Sequence, residues 1–258
     1  SEAFLTAALL SVSGGLQDAY TYIARGQVFA NAQTGNIVLL SQNLFSGNWA
    51  RVLHYLFPLC AFGLGVAAAE AIRWKFQKIR AVHWRQLVLL VEILLLLAVG
   101  LMSQPLNMLA NALVSFACAM QVQAFRKVDG YAFASTMCIG NLRSGVESLM
   151  AGGRTRDRKL LGKAGHYFSV ILLFALGAGI GGLLIPRFGD KTIWFSCLIL
   201  ALGFLVMFIR EDLEENPDIQ AAENSIHQEL RQIGQDLHKE LDQEHDAIEQ
   251  QLHHPHKK

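Results

Sequence analysis

Long apolar runs alternate with short polar stretches along most of the chain. Each run holds roughly 16 to 22 residues, and a helix needs about 20 to cross the hydrocarbon core of a bilayer. The pattern therefore predicts six membrane-spanning helices, the first of which is interpreted as a span and not as a signal peptide. The runs lie at about residues 3–24, 54–72, 87–102, 106–125, 166–186 and 192–209.

Two polar stretches interrupt this pattern, Phe29–Asn36 and Phe133–Asn141, and each ends in a Gly-Asn pair. Polar side chains and glycine are costly in lipid unless protein or a watery cavity surrounds them. We therefore expect the segments 28–46 and 131–150 to be broken or re-entrant helices that enclose a polar site.

The two halves of the chain resemble each other, which indicates an internal repeat. Chance similarity between apolar sequences is the alternative, but paired residues recur in the same order. The repeat predicts domains at 1–103 and 104–212, followed by an acidic tail at 213–258. The matching pairs are Ser11 and Ser115, Gln17 and Gln121, Gly35-Asn36 and Gly140-Asn141, and His54-Tyr55 and His166-Tyr167.

The distribution of basic residues indicates the topology, because short cytoplasmic loops are enriched in Lys and Arg. Up to Arg210 there are 18 such residues, and they divide 14 to 4 if both interrupted segments return to the side that they left. Eight spans would leave almost no bias, and a seven-span arrangement is the second choice. We predict an all-α, polytopic membrane protein with six full spans, an inverted 3+3 repeat and both termini in the cytoplasm.

Composition agrees with a membrane protein: 52% of the 258 residues are hydrophobic, 17% are charged and the mean hydropathy is +0.31. The net charge of +1 argues neither for nor against a nucleic-acid partner, but the basic residues lie in short loops and not on one recognition face, so we expect none. The four cysteines lie in apolar runs without metal-ligand spacing, and no catalytic motif is present. We expect neither an enzyme nor a cofactor.

Charged and amide side chains near the two interruptions are the candidate site. Asp18 and Arg143 each lack a charged counterpart in the other half, so they could pair across the site. Alternatively, Asp18 caps its helix and Arg143 anchors a loop, and the amides and hydroxyls could serve turn chemistry alone. The predicted solute-binding residues are Asp18, Asn31, Thr34, Asn36, Ser135, Asn141 and Arg143.

Three further residues are candidates for gating or proton coupling. His54 and His166 occupy equivalent repeat positions and could respond to protons, or could begin helices at the membrane interface. Glu92 is isolated among leucines, where it could carry a coupling proton or bond a neighbouring helix. Small residues at Gly63–Ala67 and Gly177–Gly181 indicate close helix packing.

The tail after Pro217 is rich in Glu, Gln, Asp and His, with apolar residues at helical spacing from Ile226 to Leu252. This spacing predicts a cytoplasmic amphipathic helix, which could pair with a second copy of the chain or fold back on the basic loops of the bundle.

The motif Gly14-Gly15-Leu16-Gln17-Asp18-Ala19, followed by Phe29-Ala30-Asn31 and Thr34-Gly35-Asn36, resembles the YoaK-like family of bacterial integral membrane proteins. The resemblance covers residues 3–212 and implies a bacterial inner-membrane location without an established substrate. We expect a transporter or channel for a small solute, surrounded by membrane lipids, that could form a homo-oligomer through its bundle or tail. A membrane-anchored scaffold or sensor acting through the C-terminal helix is the alternative.

Overall fold

The computed structural model describes residues 2–76, 84–128, 131–132 and 138–215, and within them the chain folds almost entirely as α-helix. The all-α prediction is confirmed apart from a ribbon of two antiparallel pairs, β1 (Lys127–Val128) with β2 (Tyr131–Ala132). The predicted tail beyond Glu215 lies outside the described residues. The helices are α1 (Glu2–Ala24), α2 (Gln33–Phe45), α3 (Trp49–Phe76), α4 (Trp84–Val99), α5 (Asn107–Ala124), α6 (Cys138–Thr155), α7 (Arg158–Phe188) and α8 (Ile193–Glu215).

Helix ends follow local sequence. The chain leaves α1 through Gly26, whose φ of 90° lies in the left-handed region that glycine adopts readily. Pro105 lies in a 3-10 turn, Gln104–Leu106, that leads into α5, and the Asp157 side chain caps α7 by accepting from the Lys159 amide at 2.8 Å. Helices α3 and α7 begin before the apolar runs at 54 and 166, because polar residues continue each helix.

Two pairs of helices cross in close contact, α1 with α7 and α3 with α5. Gly177 lies against the backbone carbonyl of Val12, and Gly65 lies against the backbone carbonyl of Phe116. Glycine allows such an approach because it has no Cβ. The predicted close packing is confirmed at these two positions, whereas Gly63 and Gly179 face open space.

Helices α1, α3, α4, α5, α7 and α8 run alternately between two ends of the bundle. Phe4 and His166, near the starts of α1 and α7, have ring centroids 4.9 Å apart and define the first end. Arg25 donates to the carbonyl of Val99 at 3.1 Å, which places the ends of α1 and α4 together at the second end. Helix α8 returns to the first end, where its Gly203 lies beside Leu9.

The outer surface of these helices is apolar. Leu172 and Leu183 are 70% and 77% exposed, as suits contact with lipid and not with water. By length and composition, three stretches of the described chain are apolar enough to cross a membrane: Trp49–Phe76, Gln104–Ala124 and Arg158–Met207. The last contains α7 and the part of α8 up to Met207. The molecule is therefore a helical membrane protein.

Candidate functional site

The first interruption is held by Asn36, whose amide is fully buried. Its Oδ1 accepts from the Phe29 amide at 3.0 Å, and its Nδ2 donates to the Phe29 carbonyl at 2.6 Å and to Gln33 Oε1 at 2.8 Å. The side chain thus replaces the helical partners that Phe29 lacks. Asn36 serves the turn, which is the alternative that the sequence left open for the Gly-Asn pair.

Asp18 attaches the same interruption to the last third of α1. Its Oδ1 accepts from the Asn31 backbone amide at 2.7 Å and from Asn31 Nδ2 at 3.4 Å, and the backbone amides of Ala30 and Ala32 also face the carboxylate. Asn31 Nδ2 donates in addition to the carbonyl of Gly14 at 3.3 Å. The chain leaving α1 therefore turns back to the level of Asp18, about 9 Å below the end of the helix at 1.5 Å per residue.

Helix α2 then leads back toward the second end of the bundle. Its 13 residues measure about 20 Å, well short of a bilayer core. Helix α3 starts beside the loop, where Gly26 O lies 2.8 Å from His54 Nε2. The first interruption thus enters and leaves by one end of the bundle.

The second interruption continues into α6, which begins at Cys138. Ser135 lies outside the described residues. Helix α6 packs antiparallel to α7, with Gly145 beside Phe168 and Gly152 beside Leu161. Asn141 is buried in its first turn. Helix α6 therefore descends toward the first end of the bundle, opposite in direction to α2.

The starts of α2 and α6 meet at one cleft of ≈ 760 Å³. Its described walls are mainly apolar and aromatic, and Asp18 is the charged residue among them. Tyr22 and Phe29 stack with ring centroids 4.7 Å apart on one side. The described lining residues are Asp18, Ala19, Tyr22, Ile23, Phe29, Asn31, Ala32, Gln33, Thr34, Leu59, Phe62, Cys138, Ile139, Gly140, Phe174 and Ala178.

Arg143 does not pair with Asp18, although this pairing was one of the two alternatives that the sequence left open. The Arg143 side chain is 80% exposed, and its Nε donates to Glu147 Oε1 at 2.9 Å. Glu147 lies one helical turn further along α6, where an ion pair at this spacing forms readily. Asp18 instead is satisfied by backbone amides. Of the predicted binding residues, Asp18, Asn31 and Thr34 line the cleft, whereas Asn36, Asn141 and Arg143 are not among its lining residues.

The three gating candidates lie apart from one another. His54 contacts Gly26 near the second end, and His166 is exposed beside Phe4 at the first end. Glu92 is fully buried within the bundle. The two histidines thus lie near opposite ends of the bundle.

Glu92 belongs to a buried polar cluster that sequence reasoning did not assemble. Gln17 Nε2 lies 3.0 Å from Glu92 Oε1, 3.0 Å from Ser196 Oγ and 3.1 Å from Ser13 Oγ. The Cys118 thiol donates to Gln17 Oε1 at 2.6 Å. The signal available was Gln17 itself, an amide inside an apolar run and matched by Gln121 in the other half.

Arg25 was also missed. Its side chain is fully buried at the second end, where Nε donates to Tyr20 Oη at 2.7 Å and Nη1 to Asn107 Oδ1 at 2.9 Å. Nη2 donates to the carbonyl of Met102 at 2.8 Å and lies 3.7 Å from Asp190 Oδ1. Arg25 thus joins the end of α1 to two loops. In the sequence, Arg25 was only one of the four basic residues assigned to the non-cytoplasmic side of the membrane.

Comparison with known proteins places this architecture in a family. The family model described as "Protein of unknown function (DUF1275)" matches residues 6–206. The UPF0700 transmembrane protein YoaK of Bacillus subtilis (strain 168) is 28% identical over 210 residues, which cover 77% of this chain and 90% of that protein. No solved structure matches the chain. The resemblance carried by the Gly14–Ala19 and Phe29–Asn36 motifs is thereby confirmed, and the chain belongs to the DUF1275 family.

Proposed function

We propose that the protein is a transporter or channel for a small solute in the bacterial inner membrane, with the cleft as its binding site. One observation carries the proposal: a single cleft is lined by residues of both helix interruptions. Helix interruptions at membrane depth are tolerated where they line a cavity, and transporter sites commonly form at such breaks.

The proposed membrane arrangement has six spans, with α2 and α6 as non-spanning helices, and both termini in the cytoplasm. The packing supports an inverted 3+3 repeat. Val12 and Phe116 correspond by the same offset as Gln17 and Gln121, and Gly65 and Gly177 correspond by the offset of the His-Tyr pairs. The contact of Gly177 with Val12 therefore has its counterpart in the contact of Gly65 with Phe116.

In this proposal Asp18, Asn31 and Thr34 contact the solute, while Asn36 and Asn141 fix the two turns. Glu92 is the proposed coupling carboxylate, because Cys118, Gln17 and Ser13 connect it by hydrogen bonds to α1 and α5. His54 and His166 are proposed gating residues at opposite ends.

The test uses liposomes that contain the purified full chain and an osmotic light-scattering assay, which detects any solute that enters. The panel contains neutral, zwitterionic and cationic solutes. Gly140 and Gly153 both lie on α6 and face open space, but Gly140 alone of the two lines the cleft. Gly140→Trp should abolish protein-dependent entry, and Gly153→Trp should leave it unchanged. Equal entry through both variants, or no entry faster than in empty liposomes, would contradict the proposal.

A further inference from the structure

We infer that the cleft selects a small amine carrying one positive charge and an apolar body. This inference rests on the proposed function and specifies the substrate class of the same site. Its starting point is charge: Asp18 lines the cleft, and the other described lining residues carry no charge. A solute that enters this cleft loses water and meets one carboxylate, which favours a cation over a neutral molecule or an anion.

The neighbour of Asp18 holds a buried hydrogen-bond acceptor in the wall of the cleft. Asn31 Nδ2 points at two acceptors, Gly14 O and Asp18 Oδ1, so the orientation of the amide is fixed by its partners. The Oδ1 of Asn31 is buried and has no hydrogen-bond partner among the residues that the structure describes. Asn31 is only 7% exposed and lies in the cleft wall. A buried acceptor without a donor is costly, so we expect the Asn31 side chain to shift toward a bound ammonium group, which offers three donors.

The rest of the cleft suits an apolar body. Phe62 and Phe174 line it together with the stacked pair Tyr22 and Phe29. Aromatic faces attract cations as well as apolar groups. A volume of ≈ 760 Å³ lies within the range of pockets that hold small organic ligands. The geometry therefore fits an aromatic or branched aliphatic amine better than a bare metal ion.

The test measures binding to the full chain in lipid nanodiscs by calorimetry, with three probes of similar shape: 2-phenylethylamine, 2-phenylethanol and 3-phenylpropanoate. The amine should bind most tightly. Asp18→Asn should weaken the amine about thirtyfold while changing the alcohol little, as expected when one partner of a desolvated charge pair is removed. Glu147→Gln removes an exposed carboxylate outside the cleft and should change nothing.

A second pair of variants keeps the test valid if Asp18→Asn unfolds. Ile139 lines the cleft and is 79% exposed, so a longer polar side chain fits there. Ile139→Lys should weaken the amine more than Ile139→Gln does. Equal or tighter binding of the alcohol or the carboxylate, absence of amine binding, or equal effects of Lys and Gln would overturn the inference.

Flux of the same three probes separates the two proposals. Amine binding without entry into liposomes would leave the inference standing and remove the transport function. If the alcohol or the carboxylate enters the liposomes, if Gly140→Trp blocks that entry and if the amine does not bind, the transport function stands and the inference about the amine fails.

Discussion

Gly177 of α7 lies directly against the backbone carbonyl of Val12 in α1, with no side chain between the two helices. Lipid offers little hydrophobic drive for helix association, so packing at such contacts contributes much of the stability of a membrane bundle. The same crossing holds Gly15 against the carbonyl of Phe174, on the wall of the cleft. The distance between α1 and α7 therefore also sets the width of the cleft.

Gly177→Ala should destabilise the bundle. An added Cβ would collide with the Val12 backbone, which cannot move aside as a flexible side chain could. Overpacking of this kind costs about 1–3 kcal/mol. Gly179→Ala is the matched control, because the same helix faces open space there. Thermal unfolding in detergent should show a lower midpoint for Gly177→Ala and no loss for Gly179→Ala, and equal midpoints would contradict the packing.

Replacing Arg25 with Met should lower stability by on the order of 3 kcal/mol, because the acceptors that surround the guanidinium would be left buried and unpaired. These acceptors include Tyr20 Oη and the carbonyl of Met102. Arg51 is exposed near the same end and provides the control Arg51→Met. The free energy of unfolding in mixed detergent micelles distinguishes the two, and a similar small loss in both variants would show that the buried network contributes little.

Substitution of Asn36 should lower stability, whereas substitution of Thr34 should weaken solute binding. Asn36→Leu removes the bonds to both backbone groups of Phe29 and should cost about 1–3 kcal/mol for each group left unsatisfied. Thr34 is exposed and lines the cleft, so Thr34→Val should leave the unfolding midpoint unchanged but weaken binding of a polar solute. Calorimetry and thermal unfolding on both variants measure the difference. A stable Asn36→Leu protein would remove the structural role assigned to this amide.

The helices could be predicted from the sequence because the length of a run of apolar residues can be read from the chain without knowing the fold. Each of the six apolar runs overlaps one long helix. The two interruptions could be recognised because polar residues within a bilayer are costly. The repeat also indicated that two interruptions would act together. Residues of both interruptions do line one cleft.

Side-chain partners could not be predicted in the same way, because they depend on helix rotation and depth. Arg143 looked like the partner of Asp18, but its direction on α6 places it beside Glu147. Arg25 looked like a loop residue, yet the return of the chain at Gly26 buries it. The hydrophobic periodicity of a sequence does not predict which carbonyl groups will accept hydrogen bonds from a buried guanidinium.

The proposed opposite insertion of the two halves makes a prediction about sidedness. Ser46 directly follows α2 and Thr155 ends α6, and both are exposed. In a background with Cys60, Cys118, Cys138 and Cys197 replaced, Ser46→Cys should react with a membrane-impermeant thiol reagent added to intact cells. Thr155→Cys should react only after the cells are permeabilised, because its loop carries the basic residues that favour the cytoplasm. The control is complete labelling of both variants in detergent. Labelling of both sites from one side would exclude an inverted repeat, since α2 and α6 lead to opposite ends of the bundle.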